Sequence, residues 1–201
     1  GMGVILATTD GGATWKVQLD SVGGWLTGLT FLDQKNGWAV GEFGTVWRTR
    51  DGGDSWNQMR KVPTPAWLYD VHFIDNKRGW TVGRFETVMV TRDGGESWTK
   101  QPMPAPRRPY GISLNYRAVR FANPMEGWIV GQHGNIFYTK DSGKSWAREK
   151  ILVDEKLFNL INLNDLSVSD KNQVWAVSQF GLLQREATSG SWKVTPTGTT
   201  G

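Results

Sequence analysis

The sequence predicts an all-β chain, a β-propeller built from four-stranded antiparallel blades, and three observations carry that reading. The first is an octet ending in tryptophan. It runs Thr8-Thr9-Asp10-Gly11-Gly12-Ala13-Thr14-Trp15 and returns as Thr49 to Trp56, Thr91 to Trp98 and Thr139 to Trp146. Its terminal tryptophans stand 41, 42 and 48 residues apart, the period of one four-stranded unit. The second is a motif between the octets: Gly37-Trp38-Ala39-Val40-Gly41, Gly79 to Gly83, Gly127 to Gly131 and the weaker Val174 to Ser178. The third is composition, with 25 glycines and 12 tryptophans in 201 residues. That combination sets many tight turns beside large packing groups.

The elements follow in order. Gly3 aligns with Gly44, so residues 3–20 read as the third and fourth strands of a partial blade. Complete blades are expected over 21–60, 61–103, 104–150 and 151–195, within one propeller domain. In the first of these, strands fall at Leu29-Thr30-Phe31, Gly37 to Gly41, Thr45 to Thr49 and Ser55 to Gln58. Their turns are Asp33 to Asn36, Glu42-Phe43-Gly44 and Asp51 to Asp54, all rich in turn formers. A fifth, eroded octet ends at Trp192, with Ala187 in place of the aspartate.

Nine of the twelve tryptophans are fixed by the repeat, which marks them as packing groups between stacked sheets. In each octet the aspartate is expected to accept hydrogen bonds from the turn, and the tryptophan to anchor the outermost strand. This makes Asp10, Trp15, Asp51, Trp56, Asp93, Trp98, Asp141 and Trp146 structural. About four and a half blades make an incomplete ring, as a fragment of a longer propeller would. Self-association through open blade edges is the expected consequence.

Composition excludes several functions. Without cysteine there are no disulfides, thiolate metal sites or cysteine nucleophiles, and only His72 and His133 offer imidazoles. Net charge is +4, far short of a nucleic-acid-binding arm. No run of ten apolar residues occurs, so no membrane span is expected. The start Gly1-Met2 reads as a cleavage scar, and no signal peptide is visible after it. No loop with metal-ligand spacing and no phosphate-cradling loop is found, so neither metal nor cofactor is expected.

The octets resemble the Asp-box, or BNR, repeat S/T-x-D-x-G-x-S/T-W, whose family places it at the turn between the third and fourth strands of a propeller blade. Their coupling to a preceding G-W-x-V-G resembles most the photosystem II stability and assembly factor-like branch, over almost the whole chain. The resemblance implies a binding or assembly role and an extracytoplasmic setting, periplasm or thylakoid lumen. The branch also holds relatives labelled glycosyl hydrolases.

If the octets line one rim, contacts are expected on the other, at the turns between second and third strands. Their tips read Glu42-Phe43-Gly44, Arg84-Phe85-Glu86, Gln132-His133-Gly134 and Gln179-Phe180-Gly181. Packing toward a central channel is one reading of the recurring ring; a ring of ligand contacts is the other. Together with the basic, proline-stiffened connection carrying Arg107 and Arg108, they give a candidate partner rim of Phe43, Arg84, Phe85, Arg107, Arg108, His133 and Phe180. A protein or acidic peptide is the expected partner.

The alternative is a carbohydrate-binding or glycoside-hydrolysing protein. A sialidase-like enzyme brings an F/Y-R-I-P motif, and none is present. The carboxylate pair needed for glycoside hydrolysis would have to come from Glu42 and Glu86. No catalytic residue is assigned.

Overall fold

A computed structural model describes residues 3–20, 22–59, 62–107, 111, 113–153, 159–169 and 173–195. Arg108, one of the candidate rim residues, lies outside the described residues. The described chain is a set of antiparallel sheets in sequence order, as the alternation of apolar and polar residues and the turn chemistry require. It divides into two compact units, Gly1–Gln101 and Pro102–Gly201.

The first unit holds three sheets. Strands β1 (Ile5–Ala7) and β2 (Lys16–Leu19) form a two-stranded sheet. Then come β3 (Leu26–Phe31), β4 (Gly37–Gly41), β5 (Val46–Thr49) and β6 (Asn57–Gln58), and next β7 (Leu68–Phe73), β8 (Gly79–Gly83), β9 (Val88–Thr91) and β10 (Thr99–Lys100), each set a four-stranded sheet. The second unit holds β11 (Tyr116–Phe121), β12 (Gly127–Gly131), β13 (Ile136–Thr139) and β14 (Ala147–Arg148), followed by β15 (Leu163–Val168), β16 (Val174–Ser178), β17 (Gly181–Arg185) and β18 (Trp192–Thr195). These are propeller blades, the class the repeat predicts.

Blades stack through the G-W-x-V-G strand. Trp38 of β4 is wholly buried and stacks on Phe73 of β7, with ring centroids 3.6 Å apart and planes 10° from parallel. Its indole N–H donates to the carbonyl of Gly94 in the neighbouring octet at 3.0 Å. Val40, Val46, Leu68, Val71, Met89 and Trp98 complete this interface. Gly28 in β3 lets the backbones meet: a Cβ there would stand 2.8 Å from the Tyr69 carbonyl and 2.9 Å from the Asp70 Cα.

The second unit solves the same problem differently. Its last octet is the eroded one, and Trp128 finds a carboxylate in place of a turn carbonyl. Glu149 accepts from the indoles of Trp128 at 3.2 Å and Trp192 at 2.8 Å. Arg185 closes the charge on it with its Nη2 at 2.6 Å and lies over the rings of Trp128 and Tyr138. Both partners are largely buried, so the arginine is what makes an interior carboxylate tolerable.

Every intact octet closes on itself. In the second, the Thr49 hydroxyl donates to Asp51 Oδ1 at 2.7 Å while accepting from the Gly53 N–H at 2.9 Å, and Asp51 accepts from both the backbone N–H and the hydroxyl of Ser55. The same bonds recur around Asp10, Asp93 and Asp141. Three of the octet tryptophans then meet a phenylalanine of their own sheet's first strand edge-on: Trp56 on Phe31, Trp98 on Phe73, Trp146 on Phe121.

Trp15 corrects the expectation that all repeat tryptophans are core. It is 59% exposed, because its sheet has two strands among the described residues and no first strand to supply the phenylalanine. Trp175 is likewise only half-buried.

Two outcomes are expected. Trp38→Ala removes a stacked, hydrogen-bonded interface group and should cost about 3–5 kcal/mol in urea unfolding, whereas Trp15→Ala should cost less than about 1 kcal/mol. Hydrogen bonds from Ser55, then Thr49, hold Asp51 down to about 2, and those from Ser145, then Thr139, do the same for Asp141. Asp10 is lowered by the Thr14 and Thr8 bonds; Asp93, which burial alone would raise, is lowered by Ser97 and Thr91. Carboxylates depressed on folding stabilise above their unfolded pKa and lose that contribution as pH falls through the folded value. Circular dichroism should therefore show stability full above about pH 4 and declining toward pH 2.

Candidate functional site

The tips between second and third strands are built to one plan. At the first, Gly41 N–H donates to the Thr45 carbonyl and Thr45 N–H to the Glu42 carbonyl, both at 3.0 Å. Glu42 N–H reaches back to the Trp25 carbonyl at 3.0 Å, and the Trp25 N–H donates to the Glu42 carboxylate at 3.1 Å. Gln132 and Gln179 repeat the part of Glu42, their amide oxygens accepting from the N–H groups of Asn115 at 3.0 Å and Asn162 at 2.9 Å. Glu42 is buried and holds backbone, the same work that a neutral glutamine performs at two other tips.

Phe43, Phe85 and His133 all take left-handed φ, at 56°, 56° and 53°, a region that costs a residue with a Cβ about 1 kcal/mol or more. Phe43 is 67% exposed and Phe85 61%, and Phe180 is exposed as well. The phenylalanine rings are thus left uncovered by the described residues. His133 is half-buried: its Nδ1 hydrogen-bonds the Asn159 carbonyl, which fixes the proton on that nitrogen, and its backbone N–H donates to Asn162 Oδ1 at 3.4 Å.

The second tip departs from the plan twice. Where the others carry an acceptor side chain, it carries Arg84, and where the first and third carry glycine, it carries Glu86, also left-handed at φ 57°. Two successive non-glycine residues thus hold a conformation each disfavours. The Arg84 guanidinium lies 5.2 Å from the centroids of both the Trp67 and Phe85 rings, and no carboxylate within ion-pair distance of it is found among the described residues. A half-buried cation clamped between two rings, its fork unspent, is suited to bidentate recognition of a carboxylate. Trp67 falls outside both repeat motifs, so only the fold reveals it as the second wall of this clamp.

The basic connection differs from its expected stiff, exposed form. Asn135, wholly buried, receives the Arg107 N–H on Oδ1 at 2.8 Å and returns Nδ2 to the Arg107 carbonyl at 2.9 Å and the Gln132 carbonyl at 2.9 Å. Arg107 is half-buried against the second unit as a result; prolines cannot supply those backbone bonds, and a buried amide does. Arg108 lies outside the described residues. No group of three His, Cys, Asp or Glu side chains able to hold a metal is found among the described residues, and no described helix is long and apolar enough to cross a membrane.

Relieving one strained residue isolates the strain. Glu86→Gly should stabilise the first unit by about 1 kcal/mol in urea unfolding.

The model of the family described as photosynthesis system II assembly factor YCF48 matches residues 55–163. Curated protein sequences give no significant match. Among solved structures, YCF48 bound to D1 peptide is 27% identical, with 84% of this chain and 53% of that chain covered and a TM-score of 0.64. YCF48 from Cyanidioschyzon merolae, 21% identical with a TM-score of 0.65, covers 87% of this chain and 57% of its own. The GH74 xyloglucanase from Xanthomonas campestris, 12% identical with a TM-score of 0.68, covers 94% of this chain and 35% of its own. The last two likenesses show shared fold alone. The chain thus spans little more than half the length of the YCF48 chains it matches.

Proposed function

The chain belongs to the photosynthesis system II assembly factor YCF48 family, and from that premise we propose that it is a non-enzymatic assembly scaffold that binds an extended acidic peptide of a partner protein. One observation carries the reading: the Arg84-Phe85-Glu86 tip sustains two consecutive left-handed side-chain-bearing residues to hold a guanidinium between two rings. Strain of this kind persists only where the surrounding structure over-determines it, and it clusters at binding and active sites. The peptide seen with a 27% identical YCF48 supports a peptide as the class of ligand.

In this reading Arg84 takes a peptide carboxylate while Phe85 and Trp67 cover the aliphatic part of the same segment. Phe43 offers a second exposed ring on the first unit; the second unit by itself carries Phe180, His133 and Arg107 as the contact candidates the sequence predicts, with Arg108 outside the described residues. A basic fork on an aromatic platform gains most of its specificity from charge and pre-organisation.

The glycoside-hydrolysing alternative is weakened at Glu42, whose carboxylate is buried and occupied with the Trp25 N–H. Carbohydrate binding at the exposed rings is left as an outcome of the same experiment.

Fluorescence anisotropy with a labelled acidic peptide should give saturable binding that weakens as salt rises. Arg84→Ala and Phe85→Ala should each weaken it by about tenfold or more, with Glu42→Gln unchanged. Binding that ignores both salt and Arg84, or binding of oligosaccharides alone, would overturn the proposal.

A further inference from the structure

Two guanidinium groups lie over buried indoles of the G-W-x-V-G strands, and their surroundings differ. Arg185, in the second unit, stands 5.2 Å from the Trp128 ring centroid. Glu149 meets its fork with both oxygens, accepting from Nε at 3.0 Å and from Nη2 at 2.6 Å. Arg48, in the first unit, is the β5 residue opposite Trp38 and stands 5.2 Å from that indole's centroid. It is the more deeply buried of the two, yet its Nε donates to nothing among the described residues. Its hydrogen bond runs from Nη1 to Glu96 Oε1 and is long, at 3.4 Å.

Glu96 is a poor counterpart for so buried a cation. Its side chain is 56% exposed, and the same oxygen accepts from Arg50 Nη2 at 2.6 Å, so one acceptor atom serves two guanidinium groups. Asp93 is near enough to act on Arg48, but both its oxygens are occupied within its own octet. Burial, then the charge of Arg50, holds the Arg48 guanidinium below arginine's ordinary pKa, against the pull of Glu96 and Asp93. Two more cations belong to the same corner: Arg92 in the octet, and Lys77, whose carbonyl accepts from the Gly94 N–H at 2.8 Å. Neither has an ion pair among the described residues. Glycine at 94 is what lets the Arg48 fork lie against the octet turn, since a Cβ there would stand 3.0 Å from Nη1 and 3.2 Å from Nη2. The fork is thus fixed between an indole and a turn.

We propose that this corner binds a phosphate-type dianion, held by the Arg48 and Arg50 forks at the place Glu96 now takes. A carboxylate would only repeat what Glu96 already does. An ion that displaces it must bring more charge and more acceptors, and a tetrahedral dianion brings both, with separate oxygens for each fork. Arg92 and Lys77 add attraction at longer range. Being exposed, the Glu96 side chain rotates into solvent as the anion enters. The corner lies at the octet end of its strands, away from the tip that carries Arg84, and does not depend on peptide binding there.

The test is a titration of the 201-residue protein followed by heteronuclear NMR at constant ionic strength and about pH 8, where phosphate is dianionic. Inorganic phosphate should shift the Arg48 Nε–H and the Gly94 and Gly95 amides saturably, with acetate at least about tenfold weaker. Arg50→Ala and Glu96→Gln change exposed side chains and leave the unfolding transition in place. The first should weaken phosphate binding by about tenfold, and the second should strengthen it by about threefold or more. Phenyl phosphate, titrated in parallel, separates the sources: tighter binding of the ester assigns the group to a phosphorylated ligand, and tighter binding of the free ion to inorganic phosphate, either of which supports the site. Shifts that do not saturate, an equal response to acetate, or indifference to Arg50→Ala would overturn the proposal. So would weaker or unchanged binding in Glu96→Gln, since that carboxylate would then not occupy the anion's place.

Discussion

The stacking of Trp38 on Phe73 is the contact from which the rest of the first unit is organised. It is at once an apolar wedge and a polar tie, because the indole N–H ends on the Gly94 carbonyl. A buried indole N–H left without an acceptor is costly, and at Trp38 a turn of fixed geometry offers one. The octet supplies that turn, held rigid by an aspartate whose oxygens are taken by its own loop. Blade packing and turn chemistry are therefore one device. Where the last octet erodes, the device survives with Glu149 as acceptor and Arg185 as its counter-charge.

The tips proposed for recognition are separate from this core. The tips take their geometry from backbone hydrogen bonds to neighbouring strand ends, and these bonds hold with a glutamate, a glutamine or an arginine at the first position. Side-chain identity at the tips can change without disturbing the stack. Arg84 illustrates the freedom: it abandons the acceptor role and turns onto Trp67 and Phe85 instead.

Much of the fold was legible because its signals are local. The octet and the G-W-x-V-G strand each lie within eight residues, and their turn bonds span no more than four. What stayed hidden depends on residues distant in sequence. Trp15 reads the same as Trp56, yet it is exposed because no first strand stands beside it among the described residues. Asn135 and Glu149 belong to no motif, since each serves one particular gap. At the tips the recurrence of an aromatic or imidazole ring was visible, but the left-handed backbone of Phe43 and Phe85 was not, because only glycine announces that conformation in a sequence.

Each intact octet satisfies its aspartate within a single loop and asks nothing of the adjoining blade except a surface to lean on. Such a segment is interchangeable: copied, moved or lost by recombination, it folds its corner the same way in its new place. Lineages built from it can vary blade number in steps of about forty residues, while the opposite turns, where no such self-sufficiency restrains the side chains, are free to differ.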